Sequence, residues 1–201
     1  MFSLLTDSAV LSPAGCALFL IVAFILSGIV HTIWLRSKIS QRFAIPLDGG
    51  RTFRQHRILG DNKTVRGLMV LIPATGCSFY LLGTVVNRSP GVFEGVWPLS
   101  PGSFGLLGLL ASLGFMLGEL PNSFIKRQVG ILPGEAARGP LKKVVFLVID
   151  RIDSVLGMLL IVSLAVKTPW QTWLYVILLG PFIHWFFSYL LFLLKVKRRA
   201  A

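Results

Sequence analysis

Five apolar runs alternate with polar connections along the chain, at about 17–35, 67–86, 102–120, 144–166 and 170–194. A membrane-spanning helix needs roughly 20 mostly apolar residues, so each run predicts one span. Pro73 and several glycines interrupt the second run, which membrane helices tolerate. Two long polar stretches, 36–66 and 121–143, separate spans one from two and three from four. A Pro/Gly-rich connection covers 87–101, and a tight turn at 167–169 joins the last two spans. No internal repeat or low-complexity tract breaks the pattern. The expectation is an all-α integral membrane protein, a single polytopic domain over 1–201.

The fourth run breaks its own pattern. VVFLVIDRIDSVLGMLLIVSLAV carries Asp150, Arg151 and Asp153 within an otherwise apolar stretch. A charge at the centre of a spanning helix costs about 2.5–3.5 kcal/mol on insertion scales, so such residues pair, face a polar cavity or hold an ion. Asp150 and Asp153 are three apart and share a helix face with Ser154. Arg151 lies about 100° away from Asp150. Two carboxylates on one face resemble a hard-cation site, and the arginine pairs with one of them or meets an anion. A salt-bridged structural helix is the other reading, but it leaves one buried carboxylate to be explained.

Basic residues fix the expected sidedness through the positive-inside rule. The stretch 36–66 holds Arg36, Lys38, Arg42, Arg51, Arg54, Arg57, Lys63 and Arg66. The stretch 121–143 holds Lys126, Arg127, Arg138, Lys142 and Lys143, and the tail holds Lys195, Lys197, Arg198 and Arg199. The other connections hold only Arg88 and Lys167. This alternation predicts an outside N-terminus, a cytoplasmic C-terminus and two cytoplasmic polar loops. Glu119 then falls at the cytoplasmic end of span three. Asp150 and Asp153 fall in the cytoplasmic half of span four. The acidic groups, Lys126, Arg127 and the first polar stretch can thus meet in one cytoplasm-facing pocket.

Composition agrees with the bilayer assignment. The chain is 54% hydrophobic and 14% charged, with mean hydropathy +0.76. Ordinary soluble domains carry about 25% charged residues. A formal charge of +12 would suggest nucleic acid in a soluble protein. In a membrane protein it points to loops beside anionic lipid, or to an anionic substrate. Cys16 and Cys77 both lie in apolar runs and suggest neither a disulfide framework nor a zinc site. The first residues lack the basic region of a signal peptide, so the first run is expected to be retained.

Two polar segments carry candidate chemistry. GDNKTVRG at 60–67 sets Lys63, Thr64 and Arg66 between glycines. Glycines let the backbone approach a ligand and the cations suit phosphates. The Walker spacing is absent, and a plain basic membrane flank is the alternative. In GELPNSFIKRQVGILPG at 118–134, Glu119, Ser123 and Lys126 or Arg127 fall at helical spacing. They can line one face, or Pro121 can open a new helix. His31, His56 and His184 have no evident partner in sequence and read as structural. Trp97, Trp170 and Trp173 lie near span ends and read as interface anchors.

GDNKTVRG, GELPNSFIKR and IDRIDSVLG, in that order, resemble the CDP-archaeol synthase family, shorter relatives of the phosphatidate cytidylyltransferases. Lys63, Thr64 and Gly67 match a KT-x-x-G core shared by both groups. DRIDS at 150–154 resembles the signature of the larger group. Glu119, Ser123 and Lys126 match its acid-x-x-x-Ser-x-x-Lys spacing. LDGG at 47–50 is typical of the archaeol branch. Glu119 stands where the family usually has Asp, and Gln128 where an arginine is expected. The resemblance implies that CTP and a lipid phosphomonoester give a CDP-lipid and pyrophosphate, with Mg²⁺ as cofactor. It implies Asp150, Asp153, Lys126 and Lys63 as catalytic residues. Substrate contacts would come from Asp48, Asn62, Lys63, Thr64, Arg66, Gly67, Ser123, Lys126 and Arg127. The metal would be held by Glu119, Asp150 and Asp153. The implied partners are CTP, the lipid phosphate and the bilayer of the cytoplasmic membrane, without nucleic acid; related enzymes are dimeric. Two other classes compete. A CDP-alcohol phosphotransferase would need Ala-Arg after its Asp-Gly, but Gly50, Arg51, Thr52 and Phe53 follow Asp48-Gly49. A non-enzymatic ion or lipid carrier would usually show paired halves and broken helices.

Overall fold

The computed structural model describes residues 10–135 and 137–195. Five long helices make up most of it: α1 (Pro13–Arg36), α2 (Val65–Arg88), α3 (Pro101–Gln128), α4 (Pro140–Ala165) and α5 (Trp170–Leu193). Ser12 and Ser100 start α1 and α3 by accepting the Gly15 and Ser103 backbone N–H groups. Proline sits in the first turn of α1, α3 and α4, where its missing N–H costs nothing.

Each helix packs on its neighbours in the order α1–α2–α3–α4–α5, and α5 returns to α1 to close a ring. Successive helices are antiparallel. Trp34 near the end of α1 donates to the Arg66 carbonyl at the start of α2. Thr172 at the start of α5 donates to the Pro13 carbonyl at the start of α1, so these two run in parallel. Both long polar connections therefore emerge at one end of the ring, as the alternation of basic residues requires. The tail charges Lys197, Arg198 and Arg199 lie outside the described residues, as do residues 1–9.

Among the described residues, α1, α2, α3 and α5 are long and apolar enough to cross a membrane. α4 is 26 residues long, but Asp150, Arg151 and Asp153 interrupt its apolar run. The first polar stretch also departs from an all-helical chain. It folds a short 3₁₀ turn at Ile39–Phe43 and a small antiparallel hairpin, β1 (Thr52–Phe53) with β2 (His56–Arg57).

The core gathers toward the end away from the polar connections. Phe19 packs edge-on against Phe79, Phe93 and Trp97 at 5.2–6.3 Å. Aromatic pairs of this kind contribute about 0.5–1.5 kcal/mol beyond their burial. Trp97 belongs to this core: it is 0% exposed, and its Nε1 donates to the Lys167 carbonyl at 2.8 Å. It is therefore not an interface anchor, because its indole N–H has an internal partner that locks two connections together. Trp170 is exposed, and Trp173 donates to Ser163 Oγ at 2.9 Å.

Glycines bring α3 and α4 into backbone contact. A Cβ added to Gly118 would lie 2.4 Å from the Asp153 carbonyl oxygen. One added to Gly157 would lie 2.3 Å from that of Gly114. Helices in a membrane associate through such close packing, since the lipid tails are as apolar as the side chains.

Candidate active site

α3 does not stop at Pro121. It continues to Gln128, so Glu119, Asn122, Ser123, Lys126 and Arg127 project from one unbroken helix. Pro121 opens no new helix; membrane helices accommodate an internal proline by re-satisfying the freed carbonyl. The glycine crossing sets this last part of α3 beside Asp150 and Asp153 on α4.

Asn122 joins the two carboxylates. Its Nδ2 donates to Asp150 Oδ1 at 2.5 Å and to Asp153 Oδ2 at 2.8 Å. Asp153 Oδ1 also accepts the Ser154 backbone N–H at 2.6 Å. Asn122 carried no role in the sequence reading, although its position offered a signal. It lies three residues after Glu119 and four before Lys126, on the same helix face as both. Its Oδ1 is buried and has no partner among the described residues.

Three cations ring this pair. Lys126 Nζ forms an ion pair with Asp150 Oδ1. Lys63 Nζ, from the first polar stretch, forms one with Glu119 Oε2. Lys63 and Glu119 both lie within electrostatic reach of Asp153. Arg127 is only 8% exposed, and its Nε and Nη1 have no partner among the described residues. It lies within electrostatic reach of Asp150, Asp61 and Glu135. Among the described residues no three His, Cys, Asp or Glu side chains gather closely enough to hold a metal. Glu119, expected as a third ligand beside Asp150 and Asp153, forms its ion pair with Lys63. Arg151 turns away from the carboxylates and donates to Ser188 Oγ on α5 at 3.4 Å.

The first polar stretch is folded against this centre by its own glycines. Leu47 N–H donates to the Lys63 carbonyl at 2.8 Å and Val65 N–H to the Ile45 carbonyl at 2.9 Å, so LDGG and NKT lie side by side. Gly60 has φ +91°, and a Cβ there would meet Pro133 Cγ at 2.7 Å and Arg127 Cδ at 3.6 Å. A side chain is thus barred both by conformation and by space. Asn62 is exposed beside Gly134 of the second polar stretch. Thr64 is buried at the start of α2, and Gly67 lies against Met116. Ser123 is buried next to Asn122. Arg66 is placed apart from the carboxylates, where its Nη1 donates to Gln41 Oε1 at 3.4 Å.

Asp48 serves the loop. Its side chain is 1% exposed. It accepts from Arg57 Nη2 at 2.7 Å and from the backbone N–H groups of Leu59 and Gly60 at 2.9 Å and Gly50 at 3.1 Å. The Arg57 guanidinium, and then these backbone donors, hold its carboxyl well below the ordinary carboxylate range, against a smaller opposing push from desolvation. The folded value lies under the unfolded one of about 4, so the stabilisation is complete above pH 4. It is lost only as pH falls through the lowered folded value. Asp48→Asn replaces an acceptor-only group by one that cannot serve all these donors. Limited trypsin digestion should cut the variant faster at Arg51, Arg54 or Arg57 at pH 7, while the wild type resists equally at pH 7 and pH 5. Equal cleavage of both proteins would remove Asp48 as the organiser of this loop.

The comparisons with known proteins bear on the family and on the fold. The family model for CarS-like CDP-archaeol synthases matches residues 18–200. A CDP-archaeol synthase of Saccharolobus islandicus is 31% identical over 154 residues, covering 76% of this chain and 79% of that protein. One from Thermococcus gammatolerans is 32% identical over 156 residues, covering 72% of this chain and 75% of that protein. A solved structure of an intramembrane enzyme for archaeal membrane lipid biosynthesis superposes with a TM-score of 0.56 at 19% identity. It covers 82% of this chain and 89% of its own, and so speaks for the fold. With nearly the whole chain matched, and the acidic pair, the lysines and the glycine-rich loop in one place, the protein belongs to the CDP-archaeol synthase family.

Proposed function

We propose that the protein transfers a cytidylyl group from CTP to a lipid phosphomonoester, giving a CDP-lipid and pyrophosphate. The observation that carries this reading is the Arg127 guanidinium within electrostatic reach of Asp150, whose buried Nε and Nη1 have no partner among the described residues. A guanidinium left without acceptors at a buried position is costly, and a phosphate satisfies it bidentately.

With no substrate bound, Lys63 is paired with Glu119 and Lys126 with Asp150. A bound triphosphate changes that balance. Lys63 and Lys126 turn from Glu119 and Asp150 to the phosphate oxygens, joined by Arg127. The carboxylates released in this way fit a hard divalent cation such as Mg²⁺, which takes oxygen ligands and keeps several waters. Asp150 Oδ1 and Asp153 Oδ2 already converge on the single Nδ2 of Asn122. Rotating that amide by 180° brings its orphaned Oδ1 to the same point. Ligation by Glu119 requires its ion pair with Lys63 to open. Mg²⁺ held there would neutralise charge on the triphosphate and polarise its α-phosphoryl group.

The chemistry needs no covalent enzyme intermediate. A lipid phosphate oxygen attacks the α-phosphorus of CTP, and a new P–O bond forms. The bond from that phosphorus to the bridging oxygen breaks, and pyrophosphate leaves with the electron pair. Lys63, Lys126 and Arg127 hold the charge that develops on the leaving group. Ser123 acts as a ligand or donor, not as a nucleophile. Asn62, Thr64 and Gly67 shape the loop around the phosphates. Arg66 and Asp48 act through the loop's position.

We infer that α4 crosses the membrane with its neighbours, since glycine contacts hold it against α3 from Asp153 to Ile161. Five spans then place the N-terminus outside and the site at the cytoplasmic face, where CTP is available. The acceptor of this family branch is an archaeal ether lipid phosphate with two geranylgeranyl chains. The test is pyrophosphate release from CTP by the detergent-purified protein with Mg²⁺. Digeranylgeranylglyceryl phosphate and diacyl phosphatidic acid are compared as acceptors. Turnover with the ether lipid is expected. Turnover with the diacyl lipid alone would keep the reaction and move the substrate; no CTP binding at all would end the enzymatic reading.

A further inference from the structure

α4 and α5 meet in the middle of the bundle and part toward the site. Val155 rests against Gly180, where an added Cβ would lie 3.0 Å from Val155 Cγ2. Before Asp150, where contacts to α3 begin, α4 is open nearly all round. Residues 141–145 are all exposed, and so are 147–149. At 100° per residue, five consecutive positions cover the whole circumference of a helix. The exposed side chains are apolar apart from Lys142 and Lys143. Over the matching stretch α5 carries an exposed aromatic face, on which the Trp185 and Tyr189 rings stack at 5.6 Å. The two helices therefore leave an apolar wedge that opens sideways at the site end of the ring.

Arg151 stands at the vertex of the wedge. Among the described residues its only hydrogen bond is the 3.4 Å contact from Nη1 to Ser188 Oγ across the gap. No carboxylate among them lies within 4 Å of it; Asp150 is taken by Lys126 and Asn122. A guanidinium has five donors. One long bond to a neutral hydroxyl leaves this one short of acceptors in apolar surroundings. An arginine inside a membrane helix is costly unless it meets a counter-charge.

We propose that Arg151, with Ser188, anchors the phosphate of the lipid substrate, which enters through the α4/α5 wedge with its chains against the apolar walls. This deepens the reading above and rests on it. The match is one of chemistry. The ligand must be anionic at one end and apolar along its length, because the vertex is cationic and the walls are not. A phosphate monoester offers the planar guanidinium two oxygens at once. Arg151 also lies about a quarter turn around α4 from Asp150, whose other neighbours are Lys126 and Asn122 on α3. The nucleotide phosphates, held by the first polar stretch and α3, and the lipid phosphate, held by α4 and α5, then reach the carboxylate pair from different sides. In-line displacement at phosphorus needs such an approach, with the attacking and leaving oxygens opposed.

Phosphate bound at Arg151 could come from the lipid or from the triphosphate, so the test titrates each separately on the purified full chain. Four quantities are read for wild type, Arg151→Gln, Arg151→Lys and Ser188→Ala. They are the KM for lipid phosphate and for CTP in pyrophosphate release, equilibrium binding of radiolabelled CTP, and retention of dioleoyl phosphatidate over dioleoylglycerol in native mass spectra. Arg151→Gln should raise the KM for lipid phosphate at least tenfold and abolish the preference for phosphatidate. Its CTP binding should stay within twofold, which also shows that it folds. Should the Gln variant not fold, Arg151→Lys keeps the charge and loses the planar fork. A threefold or larger rise in its lipid KM alone is expected. An unchanged lipid preference, or CTP binding weakened as much as lipid binding, overturns the proposal. If wild type retains phosphatidate selectively through Arg151 yet releases no pyrophosphate, the anchor stands and the cytidylyltransferase reading fails.

Discussion

Asp150→Asn and Asp153→Asn should each lower turnover by at least about 10³-fold while the protein still inserts and melts within a few degrees of wild type. The magnitude follows from what the carboxylates are asked to hold. Removing a single preorganised electrostatic contact at a transition state typically costs 10²–10³-fold, and under the proposed reading each variant also takes away one of the two carboxylates that would hold a divalent cation. The small effect on stability follows from the surroundings. Asparagine keeps the shape of aspartate, and in either variant the amide oxygen still accepts from Asn122 Nδ2, which contacts both carboxylates. Asp150→Asn also strips Lys126 of its ion-pair partner, but that pair is partly exposed. Pyrophosphate release at saturating CTP and lipid, together with a melting curve in detergent, measures both quantities. Turnover near the wild-type level in either variant would remove the carboxylate pair from the chemistry.

The two aspartates were legible in the sequence because charge in an apolar run has few explanations. The same contrast made Lys63, Lys126 and Arg127 visible, and the alternation of basic residues placed both polar stretches at one end of the molecule. Asn122 was hidden because an uncharged amide next to a proline carries no contrast; only the crossing of α3 over α4 reveals that it touches both carboxylates. Asp48 entered as a substrate contact only through the family resemblance, and its role within the loop was not legible from its neighbours in sequence. Its actual partners, Arg57 and the N–H groups of Leu59 and Gly60, lie nine to twelve residues away, and the pairing depends on a hairpin of two-residue strands. Such a hairpin is too short for a periodic signal. Its turn also seats Arg54 and Gln55 at positive φ, where glycine or asparagine would have announced it. Trp97 misled for a related reason. Its position near a span end fits an interface anchor, and only the folded chain brings the Lys167 carbonyl to its indole nitrogen.

Gly157→Ala should lower both stability and turnover, although alanine is the better helix former. In an exposed helix the exchange gains up to about 1 kcal/mol from backbone entropy. Gly102, with nothing within 4 Å of an added Cβ, is the position where that gain should appear, and Gly102→Ala should melt at or slightly above the wild-type temperature. At Gly157 the new methyl would lie 2.3 Å from the Gly114 carbonyl oxygen and 2.7 Å from Gly118 Cα. Both are backbone atoms, so no side-chain rotation relieves the clash and the two helices must separate by about 1 Å to restore ordinary contact. Overpacking of this kind costs about 1–3 kcal/mol. The separation also acts on the chemistry, because Asp150 and Asp153 hang from α4 while Asn122, Lys126 and Arg127 hang from α3. A misplacement of about 1 Å in a reacting constellation costs roughly 10²-fold in rate. Melting curves and pyrophosphate release for the two alanine variants side by side separate these terms. Wild-type turnover in Gly157→Ala would mean that the centre tolerates the shift and does not depend on the close crossing of α3 and α4. A loss of turnover larger than the loss of folded protein explains would show that the glycine contact sets the distance between the carboxylates and their cations.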